Sequence, residues 1–154
     1  YIFHICLGLL ELLKDQKDLE IILPVHPNPN VKDIINKTLA NKKNINLIEP
    51  PNYIEFVYLM DNSYLILTDS GGIQEEAPSL NIPVLVARDK TERPEGIKAG
   101  SSILVGRNKE NIKSTIKKFI NDQSKYKKHS NIPNPYGDGT TAEKVMNYFL
   151  DINK

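Results

Sequence analysis

The sequence has little of what builds disulfide-bonded, zinc-binding, membrane-spanning or nucleic-acid-binding proteins. It contains one cysteine, Cys6, and no tryptophan. A single cysteine excludes an internal disulfide and a cysteine-cluster zinc site. Lys and Arg number 20 against 19 Asp and Glu, a formal charge of +1, so bulk charge indicates neither a nucleic acid nor a polybasic membrane surface as partner. No apolar run approaches the roughly 18 residues that a membrane-spanning helix needs.

What is present fits one globular domain. The 154 residues are 40% apolar and 25% charged, which is close to the globular average and enough to bury one core. Residues 1–154 are therefore expected to form a single domain. Because the chain begins at Tyr1 rather than Met, we expect a fragment or a processed chain. One cysteine is compatible with a reducing compartment, and we expect the protein to be cytoplasmic.

Helical and strand-like apolar patterns alternate along the chain. Residues 1–14 have the spacing of an amphipathic helix. Short continuous apolar runs predict buried strands at 19–25, 45–48, 64–68, 83–87 and 103–105. Helical segments separate these runs, and continuous apolar strands are typical of sheets covered on both faces. The pattern predicts an α/β fold with a parallel Rossmann-like sheet and helices on both faces.

Polar, glycine and proline residues follow the predicted strands. The main groups are His26–Asn30, Glu49–Tyr53, Asp69–Gly72 and Arg88–Glu95. In open parallel sheets the carboxyl ends of the strands lie at one edge, where ligands bind. The sequence therefore predicts a ligand site at this edge.

The turn at residues 69–72 has features of a phosphate-binding element. Gly71 and Gly72 allow the backbone to approach a ligand closely, and the helix that follows offers free N–H groups. The Ser70 hydroxyl adds a donor. Glu75 and Glu76 lie about one turn further along and are suited to accept hydrogen bonds from ribose hydroxyls. The alternative is a structural glycine turn with acidic residues near a helix N-terminus.

Three other features remain open on the residues alone. Arg93 precedes a proline and is held extended, so its guanidinium suits a phosphate, but a solvated loop with local ion pairs is the alternative. His26 is suited to contact a ligand or to be an ordinary loop histidine. Residues 134–139 are favoured as a structural connector. No metal-ligand spacing is found, so neither a metal nor a cofactor is expected.

Four segments, in order along the chain, resemble the non-hydrolysing UDP-N-acetylglucosamine 2-epimerases. They are Val25–Val31 (VHPNPNV), Leu67–Leu80 (LTDSGGIQEEAPSL), Thr91–Glu95 (TERPE) and Asn134–Gly139 (NPYGDG). The family has two Rossmann-like domains in a glycosyltransferase-B arrangement, with the nucleotide sugar in the cleft. The chain resembles only the C-terminal, UDP-binding domain.

The resemblance implies a set of UDP contacts. By this resemblance the diphosphate is bound by Ser70, Gly71 and Gly72. The ribose is bound by Glu76 and the UDP group by Arg93, and the uracil end is lined by Phe56. It also places His26 near the region where some bacterial members bind a second, activating UDP-GlcNAc. The implied partners are UDP-GlcNAc or UDP, with a homodimeric assembly in the family.

The family reaction interconverts UDP-GlcNAc and UDP-ManNAc by elimination and re-addition of UDP. It belongs to the biosynthesis of bacterial cell-surface polysaccharides. Its acid, base and histidine come from the N-terminal domain and from a Gly-His-Arg-Arg-Glu-Asn segment, neither of which this chain contains. The resemblance therefore implies no catalytic residue here, and a chain that is inactive alone. The alternatives are the C-terminal domain of a UDP-sugar glycosyltransferase and a non-catalytic remnant that binds nucleotides.

The first helix also leads to an expectation about topology. Residue 1 begins directly in that helix, so the strand that precedes it in a doubly wound sheet is expected to be missing. In the order 3-2-1-4-5-6 that strand is central. Its absence predicts a gap between the strands at 19–25 and 64–68. Either these two strands close on each other with strain, or a chain or segment that also carries the N-terminal domain supplies the strand.

Overall fold

The computed structural model describes residues 1–152. The strands are β1 (Ile21–Pro24), β2 (Ile45–Ile48), β3 (Ile66–Thr68), β4 (Val84–Val86) and β5 (Ser102–Leu104). The helices are α1 (Ile2–Asp15), α2 (Pro29–Leu39), α3 (Tyr53–Asp61), α4 (Gly71–Glu76), α5 (Pro94–Ala99), α6 (Lys109–Asn121), α7 (Gln123–Ser130) and α8 (Thr141–Ile152). A 3₁₀ helix over Ala77–Leu80 continues α4.

Local capping signals place several helix starts. Asn52 accepts a hydrogen bond from the Glu55 N–H, and the Glu55 carboxylate accepts one from the Asn52 N–H, which completes the capping box expected at α3. The Asn108 side chain caps α6 by accepting from the Glu110 and Asn111 N–H groups, without a reciprocal carboxylate contact.

Two helices were not expected. The charged segment Arg88–Glu95 has no helical pattern, yet α5 begins inside it at Pro94, where proline suits the first helical position. Helix α7 has no apolar stripe from which it could be predicted.

The strands are parallel and form two separate sheets, one of β1 and β2 and one of β3, β4 and β5 in that order. The register pairs Ile21 with Ile45 in the first sheet, and Val84 with both Ile66 and Ser102 in the second. Within residues 1–152, β1 and β3 do not pair. The expected parallel α/β class is confirmed, and the break lies between the two strands predicted to flank a gap.

Helices cover both faces of the three-stranded sheet, as predicted. All three residues of β4 are fully buried. Leu85 packs in a cluster with α1 and α6 that includes Phe119. Val84 and Val86 face the other way and pack with Met60 of α3. Because successive side chains of the central strand β4 point to opposite faces of the sheet, they pack against helices on both faces.

Helix α1 spans the break between the sheets. Leu12 belongs to the cluster around β4 and α6, whereas Cys6, earlier on the same helix, packs with Val25 after β1. Gly8 permits the close approach to α6, since a Cβ there would lie 3.0 Å from the Lys109 carbonyl oxygen. Burial raises the pKa of the Cys6 thiol to about 11, so this cysteine is a packing residue rather than a reactive one.

The two strands that flank the break, β1 and β3, each pair with a neighbouring strand through one edge only. In β1, the Ile21 N–H donates to the Asn44 carbonyl at 2.9 Å, so the neighbouring Ile22 amide faces away from β2. In β3, the Ile66 N–H donates to the Pro83 carbonyl at 3.2 Å, so the Leu67 amide faces away from β4. The Ile22 side chain is 50% exposed. Both strands therefore offer an edge that a further parallel strand can pair with.

We expect the 154-residue chain on its own to aggregate or to melt at low temperature, because β1 and β3 both offer unpaired backbone and the Ile22 side chain is exposed. Differential scanning calorimetry and size-exclusion chromatography measure both properties. Replacement of Ile22 by Lys should reduce aggregation, because a charged edge strand resists pairing with another copy. A monomer that melts cooperatively at an ordinary temperature would contradict this expectation.

Candidate functional site

The residues expected to contact UDP phosphates meet at the carboxyl edge of the three-stranded sheet. A Cβ built on Gly71 would lie 3.7 Å from Arg93 Nη2. A Cβ built on Gly72 would lie 3.7 Å from Glu76 Oε1 and 4.0 Å from Ser70 Oγ. The structure therefore brings Ser70, Gly71, Gly72, Glu76 and Arg93 to one place.

The turn before α4 is stabilised by a hydrogen bond within the turn, and the Ser70 side chain does not cap the helix. Thr68 Oγ1 accepts a hydrogen bond from the Ser70 N–H at 3.0 Å. Ser70 is the N-cap residue, but its side chain makes no capping hydrogen bond. Gly71 lies against another carboxylate, since a Cβ there would be only 2.7 Å from Glu92 Oε1. A side chain at position 71 would have to displace that carboxylate.

A fully buried glutamine joins this turn to the loop that carries Arg93. Gln74 Nε2 donates to the Ser70 carbonyl at 3.0 Å, and Gln74 Oε1 accepts from the Thr91 hydroxyl at 2.6 Å. Thr91 Oγ1 in turn accepts the Arg93 N–H at 3.1 Å. A buried amide needs partners for both of its polar atoms. Gln74 therefore fixes the distance between the glycine turn and Arg93.

The segment between α7 and α8 also connects α4 to the loop that carries Arg93. The Tyr136 hydroxyl accepts the Gly96 N–H at 2.8 Å and donates to the Arg93 carbonyl at 3.2 Å. Asn134 Nδ2 donates to the Glu75 carbonyl at 2.9 Å. Burial raises the pKa of Tyr136, so its hydroxyl stays a donor at neutral pH. This segment is a structural connector, as favoured on sequence, and it connects both halves of the site.

The two adjacent glutamates of α4 have different partners. Glu75 forms an ion pair with Nε of Arg93, and this hydrogen bond raises the pKa of the guanidinium. Glu76 Oε2 accepts from the Tyr53 hydroxyl at 3.2 Å, which raises the pKa of Tyr53. On sequence both glutamates suited a ribose. The structure pairs Glu75 with Arg93 instead.

A third carboxylate lies in front of the glycine turn. Glu92 forms an ion pair with Arg88, its neighbour four residues earlier. Its own backbone N–H, and then Arg88 and Arg93, lower the pKa of Glu92 against the opposing effect of burial. Glu92 is therefore ionised at neutral pH and places a negative charge beside Gly71.

Phe56 lies on α3, the helix that carries Tyr53, whereas His26 lies after a strand of the other sheet. Phe56 is half-buried and packs against the core cluster of Met60 and Val84. The aromatic side chain that reaches Glu76 is Tyr53, which is 67% exposed. His26 follows β1, in the other sheet, and its Nδ1 accepts the Asn28 N–H at 3.1 Å.

Sequence reasoning missed the residues that assemble the site. Gln74, Thr91 and Tyr136 fix the backbone, and Tyr53 contacts Glu76. Gln74 lies two residues after Gly72 in the motif. Its position in the first turn of α4, on the same segment as the apolar Ile73, was the available signal for a buried structural residue.

Within residues 1–152, no helix is long and apolar enough to cross a membrane. The same residues contain no group of three or more His, Cys, Asp or Glu side chains arranged to hold a metal ion.

Comparison with known proteins identifies the family. The model of the UDP-N-acetylglucosamine 2-epimerase family matches residues 2–150. This chain belongs to that family. UDP-N-acetylglucosamine 2-epimerases of Campylobacter jejuni and Escherichia coli K12 are 51% and 47% identical to it, over 96% and 93% of its residues.

Solved structures of the family share the fold. The Neisseria meningitidis UDP-GlcNAc 2-epimerase bound to UDP-GlcNAc superposes with a TM-score of 0.92 at 47% identity, over 97% of this chain and 40% of the other. The S. aureus MnaA–UDP co-structure gives 0.91 at 43% identity, over 97% of this chain and 42% of the other. The chain spans 38% of the length of the two curated relatives, so it corresponds to part of their length.

We expect the substitution Gln74→Leu to lower the free energy of unfolding by about 1–3 kcal/mol, because the Ser70 carbonyl and the Thr91 hydroxyl lose a buried partner. Urea unfolding followed by circular dichroism measures this change. Gln123→Leu, at an exposed position of α7, is the matched control and should change stability little. Equal stability of the two variants would show that the buried amide does not hold the site.

Proposed function

We propose that this chain is the UDP-binding part of a UDP-N-acetylglucosamine 2-epimerase. The observation that carries the proposal is the position of Arg93 beside the Gly71 turn, with Ser70 and Glu76 at the same edge. Membership of the family supports the same assignment. Two solved relatives are described as bound to UDP-GlcNAc or to UDP.

The turn and the arginine together suit a diphosphate. The backbone N–H groups at the start of α4 donate to phosphate oxygens, and the Ser70 hydroxyl adds one donor. The Arg93 guanidinium supplies positive charge and paired donors from the loop opposite. In this proposal Ser70, Gly71, Gly72 and Arg93 bind the diphosphate of UDP.

Ribose binding is assigned to Glu76. Its carboxylate lies one turn from the glycines and already accepts a hydroxyl hydrogen bond, from Tyr53. A ribose diol presents the same kind of donor, so the ligand replaces Tyr53 as partner. Phe56 at the uracil end and His26 near an activating UDP-GlcNAc stay predictions from the family resemblance.

The chemistry of epimerisation is assigned to residues outside this chain. In the proposed reaction, UDP leaves UDP-GlcNAc with loss of the C2 proton and is added back after protonation on the opposite face, giving UDP-ManNAc. The carboxylates at this edge already have partners in the nucleotide site, namely Arg93, Tyr53 and Arg88. A segment that carries the N-terminal domain therefore supplies the acid and the base, and neither cofactor nor metal is required. A homodimeric assembly and a cytoplasmic location stay predictions.

The two alternatives predict different behaviour. A UDP-sugar glycosyltransferase domain of the same architecture is disfavoured by the family match over residues 2–150. A non-catalytic remnant would bind UDP but would gain no activity from an added N-terminal domain. Co-expression with that domain therefore separates a remnant from a functional half.

We expect the chain to bind UDP weakly and in preference to ADP, and we expect Arg93→Ala to weaken UDP binding by roughly tenfold to a hundredfold, since a charge-assisted contact is lost. Isothermal titration calorimetry measures both affinities. The control is Arg107→Ala, which removes the same charge from an arginine paired with Asp89. Equal UDP affinity of the Arg93→Ala variant and the unmodified chain would remove Arg93 from the site.

We also expect no epimerisation by the chain alone. Co-expression with a fragment that carries the N-terminal domain and a strand able to pair with β1 and β3 should restore both solubility and activity. Proton NMR in D₂O detects conversion of UDP-GlcNAc to UDP-ManNAc and deuterium at C2. Turnover of UDP-GlcNAc by the monomeric 154-residue protein without help would contradict this expectation.

A further inference from the structure

We propose that the two glutamates beside Arg93 have opposite effects on nucleotide binding: Glu75 positions Arg93 toward the Gly71 turn, whereas Glu92 occupies the place that a phosphate takes. The inference rests on the proposed UDP site and assigns roles to two side chains that the site itself does not require.

The three nitrogens of the Arg93 guanidinium have different neighbours. The Glu75 carboxylate pairs with Nε, Nη1 donates to the Glu92 carbonyl at 3.4 Å, and Nη2 lies 3.7 Å from the Cβ position on Gly71. A guanidinium is one rigid plane. Holding Nε therefore fixes that plane and keeps Nη2 beside the turn.

Both ends of this ion pair are fixed by the backbone. The Glu75 carbonyl accepts from Asn134 Nδ2 at 2.9 Å. The Arg93 N–H donates to Thr91 Oγ1 at 3.1 Å, and its carbonyl accepts from the Tyr136 hydroxyl at 3.2 Å. The pair is therefore held between anchored segments. This distinguishes it from an exposed ion pair between two mobile side chains.

Glu92 has the opposite relation to the same turn. Its Oε1 would lie 2.7 Å from a Cβ on Gly71, and its Oε2 pairs with Arg88. A carboxylate oxygen and a phosphate oxygen are both anionic acceptors, so both suit the donors at this turn. They cannot occupy the same place. A phosphate that binds at Gly71 must therefore displace Glu92 against the attraction of Arg88.

The two glutamates are expected to change UDP affinity in opposite directions, which distinguishes this proposal from an effect of net charge alone. Glu75→Gln and Glu92→Gln each remove one negative charge near an anionic ligand with almost no change in volume. If only net charge mattered, both would strengthen UDP binding, as would Glu95→Gln on the exposed part of the same segment. We expect Glu92→Gln to strengthen UDP binding and Glu75→Gln to weaken it.

The test is calorimetry with UDP on the three glutamine variants and the unmodified chain, in the folded preparation that the co-expression experiment establishes. The ion pairs are partly exposed, so changes of about two- to fivefold are expected. Circular dichroism and urea midpoints confirm that each variant is folded. Glu75→Asp, which keeps the charge, should restore part of the lost affinity.

A double variant tests whether Glu75 acts through Arg93. In an Arg93→Ala background, Glu75→Gln should have no further weakening effect on UDP binding, whereas Glu92→Gln should still strengthen it. A weakening by Glu75→Gln that persists without Arg93 would overturn the positioning role. The NMR shift of the Arg93 Nε–H group gives a readout without any variant of Glu75: it should remain that of an ion-paired group when UDP is added.

The outcomes test the roles of Glu75 and Glu92 separately from the proposed function. If the unmodified chain binds UDP and Arg93→Ala weakens it, but Glu75→Gln and Glu92→Gln change affinity in the same direction, the inference is wrong and the proposed function stands. If the unmodified chain binds no UDP, both are wrong.

Discussion

The candidate site depends on one buried amide. Gln74 has no solvent-exposed surface, and its two polar atoms are satisfied by Ser70 and Thr91. An unsatisfied polar atom in the core would cost more than an ordinary hydrogen bond contributes. The turn before α4 and the loop after β4 are therefore held together, and Arg93 comes beside Gly71 as a result.

The site and the break between the sheets are separate features of the molecule. The glycine turn, Glu76 and Arg93 follow β3 and β4, which pair with each other. The aromatic partner Tyr53 lies on α3, which packs on the same sheet. His26 is in the other sheet, after β1. The proposed nucleotide site thus depends on the three-stranded sheet, while the stability of the whole chain depends on what lies between β1 and β3.

The groups assigned to UDP already have partners within the protein. Glu75 pairs with Arg93 through Nε, and Glu76 accepts from Tyr53. In the proposed site the Glu75–Arg93 pair is kept, whereas Tyr53 and Glu92 give way to the ligand. Nucleotide binding therefore breaks contacts as well as forming them, so the net gain in free energy is smaller than the number of new contacts suggests. This is why we expect weak binding by the isolated chain.

Much of the fold and of the site could be predicted from the residues. Apolar runs predicted the five strands, because strands covered on both faces are continuously apolar. The motif around Gly71 and the arginine before Pro94 predicted the edge where the candidate site lies, because local backbone rules act within a few residues. Helix α7 was missed because a polar helix has no periodic apolar pattern.

The tertiary structure alone decided which side chains meet. Glu75 and Glu76 are neighbours in sequence and suited the same ribose, yet their side chains leave α4 in different directions and reach Arg93 and Tyr53. Tyr136 reaches Arg93 across 43 residues. The sequence alone determined the five strands, the parallel α/β class and the chemistry available at the edge, since these follow from local pattern. Partner choice depends on where packing places each backbone, and no local pattern contains that information.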